Sequence, residues 1–169
     1  MLKAEFWQVI DATRNEAGGD ADQHVETLRT RLDALEPQEL VTFQHWFDDY
    51  YGRANTWALW GAAYVIGGGC SDDSFMDFKG WLVSRGEKVF EAALADPESL
   101  AKVVKPDEDC QVEGFTYAAQ WAWSEKTCQP FKSFPPSPLS TGAGDPTGES
   151  WEEDDLDRLF PKLTKKFSG

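Results

Sequence analysis

Residues 56–86 read TWALWGAAYVIGGGCSDDSFMDFKGWLVSRG, and this stretch decides the fold. Its first eleven residues are apolar at almost every position, which predicts a central helix that is buried around most of its circumference. A run of three glycines ends that helix. Ser71 and two aspartates then predict a capped start for the next helix, because a serine oxygen and carboxylates stabilise a helix N-terminus. Phe75, Phe78 and Trp81 follow at helical spacing and predict its buried face.

The same periodicity continues on both sides of this stretch. Apolar residues recur at intervals of three and four along most of the chain, and no segment alternates as an exposed strand would. Pro97 interrupts one of these runs, so we expect a break there. The sequence predicts an all-α, single-domain, bundle-like fold of about six to eight helices. Besides those of the central stretch, the predicted helices cover residues 3–15, 22–35, 37–52, 87–104 and 115–127.

The C-terminal part has a different composition. Pro, Ser, Gly and Thr dominate residues 130–150, which cannot supply a packed core. Acidic residues then precede an apolar pattern that ends in lysines, as a helix dipole favours. We therefore expect a helical domain over residues 1–128, an extended Pro/Ser/Gly-rich connection over 129–150, and an amphipathic segment over 151–169 that docks back on the domain with a kink at Pro161.

Charge restricts the partners. The chain has 16 Lys plus Arg against 30 Asp plus Glu, a net charge of -14. Such a surface repels phosphate backbones, which argues against a nucleic-acid partner and favours a basic protein or a cationic ligand. The longest apolar stretch, residues 57–66, is too short to span a bilayer, so we expect no membrane partner. Three widely spaced cysteines and an N-terminus without signal-peptide features predict a cytoplasmic protein.

The residues quoted above also carry a family resemblance. Phe6, Trp7 and Ile10, the segment 59–100, and above all the pattern S-D-D-x-F-x-x-F-x-x-W-L-x-x-x-G over residues 71–86 resemble the DUF4240 family, a group of small bacterial domains of unknown function. The resemblance covers about the first two thirds of the chain. It implies a shared fold and a neighbourhood of important residues, and it implies no reaction.

Two clusters have the chemistry for a metal or an acid–base site. His45 and Asp49 share a helix face, and Asp73 and Asp77 share another, so the four side chains are candidate metal ligands and candidate catalytic residues. The alternative is that these carboxylates only cap and solvate helix ends. The sequence lacks GxSxG, GK[ST], GxGxxG and HExxH motifs. It leaves the cofactor open.

The eight tryptophans mostly fall on apolar stripes, which predicts core packing for most of them. An aromatic groove around Trp57, Trp60 and Tyr64 is the alternative. Polar neighbours predict that His24 lies at the surface, near the start of the second helix.

These patterns favour a non-catalytic binding or regulatory module that presents an acidic and aromatic face. The alternative is an enzyme, or a metal- or ligand-binding domain, with a His/Asp pocket between helices. The residues predicted to bind the ligand or partner are Trp46, Asp48, Asp49, Trp57, Trp60, Tyr64, Asp72 and Asp77.

Overall fold

The computed structural model describes residues 1–138 and 144–168, and these residues form nine α-helices, which confirms the all-α class. The helices are α1 (Lys3–Glu16), α2 (Ala21–Asp33), α3 (Pro37–Arg53), α4 (Trp57–Gly67), α5 (Asp72–Ser84), α6 (Glu87–Ala95), α7 (Ala118–Thr127), α8 (Leu156–Leu159) and α9 (Pro161–Phe167). Short 3₁₀ helices cover Pro97–Lys102, Phe131–Ser133 and Glu153–Asp155. Within the described ranges, no helix has the length and apolar character that a membrane crossing requires. The predicted connection over 129–150 falls partly outside these ranges, at residues 139–143.

Local capping explains where the helices begin and end. The Ser71 hydroxyl accepts a hydrogen bond from the backbone N–H of Ser74 at 3.2 Å, as its position before α5 predicts. Thr56 caps α4 in the same way, through the N–H of Leu59 at 3.1 Å. Gly68 ends α4 at a φ of 66°, a left-handed conformation that glycine adopts without strain.

The main core lies among the first seven helices. Helix α1 packs against α2, and both α2 and α3 pack against α7. Four fully buried aromatic rings from α1, α3 and α6 meet at the centre: the Phe6 and Phe43 ring centroids are 4.9 Å apart, and Tyr50 and Phe90 meet edge to face at 5.2 Å. This packing positions the C-terminal end of α3 beside α5.

The C-terminal segment, which we define as residues 144–168, covers one side of the apolar helix α4. One side of α4 packs against α9. A β-carbon at Gly61 would lie 2.5 Å from the Phe160 ring and 3.0 Å from the Trp151 indole nitrogen. The absence of a side chain at residue 61 therefore lets the C-terminal segment approach α4 closely.

The tryptophans are less uniformly buried than their spacing predicts. Trp7, Trp81 and Trp123 are buried, whereas Trp121 is 53% exposed. Trp121 contacts only the Phe131 ring among the aromatic neighbours of the described chain, at 4.7 Å. The prediction that most tryptophans pack in the core is wrong for Trp121, which borders an open pocket beside Val25, Glu26 and Arg29 of α2.

His24 is fully buried, which corrects the prediction of a surface residue. Its Nε2 lies 2.9 Å from the hydroxyl of Thr13, which donates to the Val9 carbonyl and is therefore free to accept from the imidazole. Burial, together with the positive charges of Arg85 and Arg14, lowers the pKa of His24 to about 4. Although its neighbours in sequence are polar, the His24 ring packs edge to face on Phe115.

Acidification should destabilise the fold through His24. Because its pKa of about 4 lies below the unfolded value near 6.5, the unfolded chain binds the extra proton as the pH falls between these values. We expect His24 to remove up to about 3 kcal/mol of stability over this window. Urea unfolding of wild type and His24→Gln at pH 7, 6, 5 and 4.5 measures the difference. Parallel pH profiles for the two proteins would contradict the prediction.

Filling the space at Gly61 should loosen the C-terminal segment. Alanine favours a helix over glycine by about 1 kcal/mol, yet we expect Gly61→Ala to lower the free energy of unfolding by about 1–3 kcal/mol because of the overlap with Phe160. A double-mutant cycle with Phe160→Ala isolates this overlap. Most of the loss should disappear in the Phe160→Ala background, and an equal loss in both backgrounds would refute the close approach.

Candidate functional site

A pocket of about 510 Å³ opens where α3, α4 and α5 meet the C-terminal segment. The end of α3 and the start of α4 form one side, one face of α5 forms the second, and residues 144–146 close the third. Aromatic side chains dominate the wall, together with one lysine and two aspartates. The lining residues are Tyr51, Asn55, Trp57, Trp60, Asp72, Phe75, Met76, Lys79, Gly144, Asp145 and Pro146.

Lys79 is the unusual group in this pocket. It is only 5% exposed, because residue 79 lies on the apolar face of α5 with Phe75 and Phe78. Its ammonium donates to the Asn55 side-chain oxygen at 3.2 Å and lies over the Tyr51 and Phe75 rings, 4.3 and 5.0 Å from their centroids. No acidic side chain in residues 1–138 or 144–168 forms an ion pair with it.

Burial lowers the pKa of Lys79 to about 8, since the charged form loses hydration that one amide and two rings replace only in part. The amine is therefore still mostly protonated at pH 7. The site presents a positive charge to any molecule that enters, and its low dielectric surroundings strengthen the attraction for an anion.

Asn55 connects the lysine to the C-terminal segment. Its side-chain oxygen accepts from Lys79, and its side-chain nitrogen donates to the Gly144 carbonyl at 3.3 Å. Its backbone carbonyl accepts from the N–H of Thr147 at 3.0 Å, and Thr147 in turn accepts from the N–H of Trp57 at 2.9 Å. One residue between α3 and α4 thus positions both the charged group and the third side of the pocket.

Three parallel rings form the apolar wall. The Trp57 and Trp60 rings stack with centroids 5.2 Å apart, and Trp60 stacks on Phe75 at 5.0 Å. Both indoles are half-buried. Trp60 donates its indole N–H to the Cys70 carbonyl at 2.9 Å, and Trp151 donates to the Trp57 carbonyl at 2.7 Å, so the stack is held from both ends. A flat ligand group could pack against this wall.

The structure divides the predicted binding residues. Trp57, Trp60 and Asp72 line the pocket, as the alternative of an aromatic groove requires for the two indoles. Tyr64 instead packs against Trp151, with centroids 5.5 Å apart. Three further predicted residues lie on α3 outside the lining set, namely Trp46, Asp48 and Asp49.

The predicted His/Asp quartet does not assemble into a metal centre. In the described ranges, no three His, Cys, Asp or Glu side chains come together where they could hold an ion. His45 Nε2 lies 3.4 Å from the Pro135 carbonyl. The pKa of Asp77 is raised by burial and then by nearby carboxylates, among them Asp73.

Sequence reasoning missed Lys79, Asn55 and Tyr51 as site residues. A usable signal existed for the lysine, because residue 79 falls on the same stripe as Phe75, Phe78 and Leu82. A charged residue on the apolar face of a helix is buried only where a partner group compensates its charge or where the function requires it. Asn55 had no comparable signal, since a polar residue between two helices is ordinary.

The buried charge should cost stability. Because the folded pKa of Lys79 is about 8 and the unfolded value is near 10.5, the cost is fully present below pH 8 and disappears as the pH rises to 10.5. We expect Lys79→Met to raise the free energy of unfolding at pH 7 by about 1–3 kcal/mol, with the gap closing toward pH 10.5. Urea unfolding of both proteins from pH 7 to 10.5 measures this. A less stable variant at pH 7 would show that the charge is well compensated.

Comparison with known proteins supports the family resemblance. A family model described as a protein of unknown function (DUF4240) matches residues 1–125. A search of curated proteins and a search of solved structures each found no match. The matched region contains Lys79, Asn55 and the aromatic wall, whereas residues 144–146, which complete the pocket, lie beyond it. Since the match covers well over half of the 169 residues, the chain belongs to the DUF4240 family.

Proposed function

We propose that this protein is a binding module that holds a small organic anion in the pocket around Lys79. The observation that carries the proposal is a buried ammonium group that lines an open pocket and has no carboxylate partner in the described chain. A buried charge of this kind is destabilising unless it is paired. An anionic ligand would supply the missing counter-charge.

The dimensions and charge of the pocket limit the class of ligand. A volume of about 510 Å³ lies in the range of small-molecule sites, which is roughly 300–1,000 Å³. Lys79 is the single cationic side chain among the lining residues, and Asp72 and Asp145 are acidic. The single positive charge can pair with one carboxylate group, and the two negative charges beside it oppose a polyphosphate.

The aromatic wall supports a ligand with a flat or apolar body. Trp57, Trp60 and Phe75 present stacked rings beside the lysine, and each offers apolar area at little conformational cost. An aryl carboxylate could place its carboxylate on the Lys79 ammonium while its ring packs on an indole. Such a ligand would contact both the buried ammonium and the stacked rings.

A second candidate function keeps the predicted cationic partner. The pKa of Asp77 is raised by burial and then by the nearby carboxylates of Glu113, Asp73 and Asp109. Crowded like charges of this kind are relieved by a bound cation. A basic protein or an organic cation docked on this cluster is therefore the alternative to an anion in the pocket.

Calorimetric titration with matched probes tests the proposal. We expect 4-methylbenzoate to bind wild type, because its carboxylate pairs with Lys79 and its ring meets the indoles. Lys79→Met should weaken this binding at least tenfold, about 1.4 kcal/mol, while Lys132→Met, at an exposed lysine outside the pocket, should leave it unchanged. Trp57→Ala should weaken it as well.

The same titrations separate the two candidates. Equal binding of 4-methylbenzoate by wild type and Lys79→Met would refute the anion site, as would the absence of heat from every carboxylate probe at millimolar concentration. Binding of 4-methylbenzylamine instead, weakened by Asp77→Asn, would favour the cationic partner.

A further inference from the structure

We propose that the ligand of this pocket is a zwitterion, whose carboxylate pairs with Lys79 and whose cationic group lies between Asp72 and Asp145. The inference rests on the proposed function and goes further, because it assigns a role to the acidic rim. According to this proposal, a ligand that carries only an anionic group does not fit the pocket best.

The face of α5 that forms one side of the pocket carries charges of both signs. Asp72, Phe75, Met76 and Lys79 all line the pocket, at positions i, i+3, i+4 and i+7 of the helix. Seven residues of α-helix rise by about 10 Å, so the opposite charges come from helix positions two turns apart, with apolar side chains between them. The wall is negative at the exposed N-terminal end of α5 and positive at the buried lysine.

A separate element of the fold contributes a second negative charge to the pocket. Asp145 belongs to the C-terminal segment and lines the same pocket as Asp72. Hydrogen bonds on both sides, from Asn55 to the Gly144 carbonyl and between Thr147 and the backbone of residues 55 and 57, hold this stretch against the α3–α4 junction. The rim carboxylate is therefore positioned by the fold and does not project from a loose chain end.

The usual structural explanation covers only one of the two aspartates. Asp72 lies in the first turn of α5, where a carboxylate is stabilised by the helix dipole. Asp145 follows no such rule, because residues 144–147 are not helical. Neither carboxylate forms an ion pair within the described residues, so both are available to a cation.

The spacing selects among zwitterions. An α-amino acid carries its ammonium and its carboxylate on the same carbon, which holds its two charges close together. A ligand with its charges at opposite ends of a flat or extended body fits, and the stacked indoles of Trp57 and Trp60 favour a ring as that body. The class is therefore an amino carboxylate with a spacer.

Three probes that share one ring test the inference: 4-(aminomethyl)benzoate carries both charges, 4-methylbenzoate carries the anion alone, and 4-methylbenzylamine carries the cation alone. Titrating wild type with each at pH 7 and low salt, we expect 4-(aminomethyl)benzoate to bind about tenfold tighter than 4-methylbenzoate. Asp145→Asn and Asp72→Asn should each reduce this preference several-fold without weakening 4-methylbenzoate. Asp157→Asn, at an exposed carboxylate outside the pocket, is the matched control.

Each outcome decides one question. The zwitterion proposal is refuted if 4-methylbenzoate binds as tightly as 4-(aminomethyl)benzoate. It is also refuted if Asp72→Asn and Asp145→Asn both keep the preference for 4-(aminomethyl)benzoate. In either case the proposed anion site is retained. If neither carboxylate binds, the proposed function itself fails. If 4-(aminomethyl)benzoate binds tighter than 4-methylbenzoate and Lys79→Met abolishes its binding, the proposed function and the zwitterion proposal are both supported.

Discussion

The hydrogen bonds of Asn55 are the constraint on which the candidate site depends. This one residue, between α3 and α4, accepts from the buried ammonium of Lys79 and donates to the carbonyl of Gly144. Its backbone pairs with Thr147. Because an amide offers an acceptor and two donors in a fixed plane, it can satisfy a cation on one side and a backbone carbonyl on the other. The charge and the third wall of the pocket are thus placed by the same group.

The close approach of the C-terminal segment to α4 makes that arrangement stable. Helix α4 has two apolar sides, and a helix that is apolar all round needs cover on each of them. The remainder of the domain covers one, and Phe160 and Trp151 cover the other at Gly61. Trp151 also holds the Trp57 carbonyl, so packing that buries α4 supports the aromatic wall as well. The segment that completes the core also completes the pocket.

The proposed function implies a conflict between stability and binding in the candidate site. A methionine would suit the position of Lys79 on α5 better than a lysine, since Phe75 and Tyr51 surround it with apolar area. Active and binding sites often keep groups that the fold would be more stable without. By this reasoning, Lys79 is better explained as a group for binding than as a group for folding. His24 differs, because it is buried in the neutral form and hydrogen-bonded to Thr13.

The sequence by itself determined the helices. Their periodicity, the Ser71 cap and the glycine end of α4 depend on residues within four positions of each other, so local rules suffice. Only the tertiary structure decided the site. Asn55 and Gly144 are 89 positions apart in sequence, and Trp57 and Trp151 are 94 apart. Whether a given lysine, histidine or tryptophan is buried depends on which distant surface covers it, and no spacing along one helix contains that information.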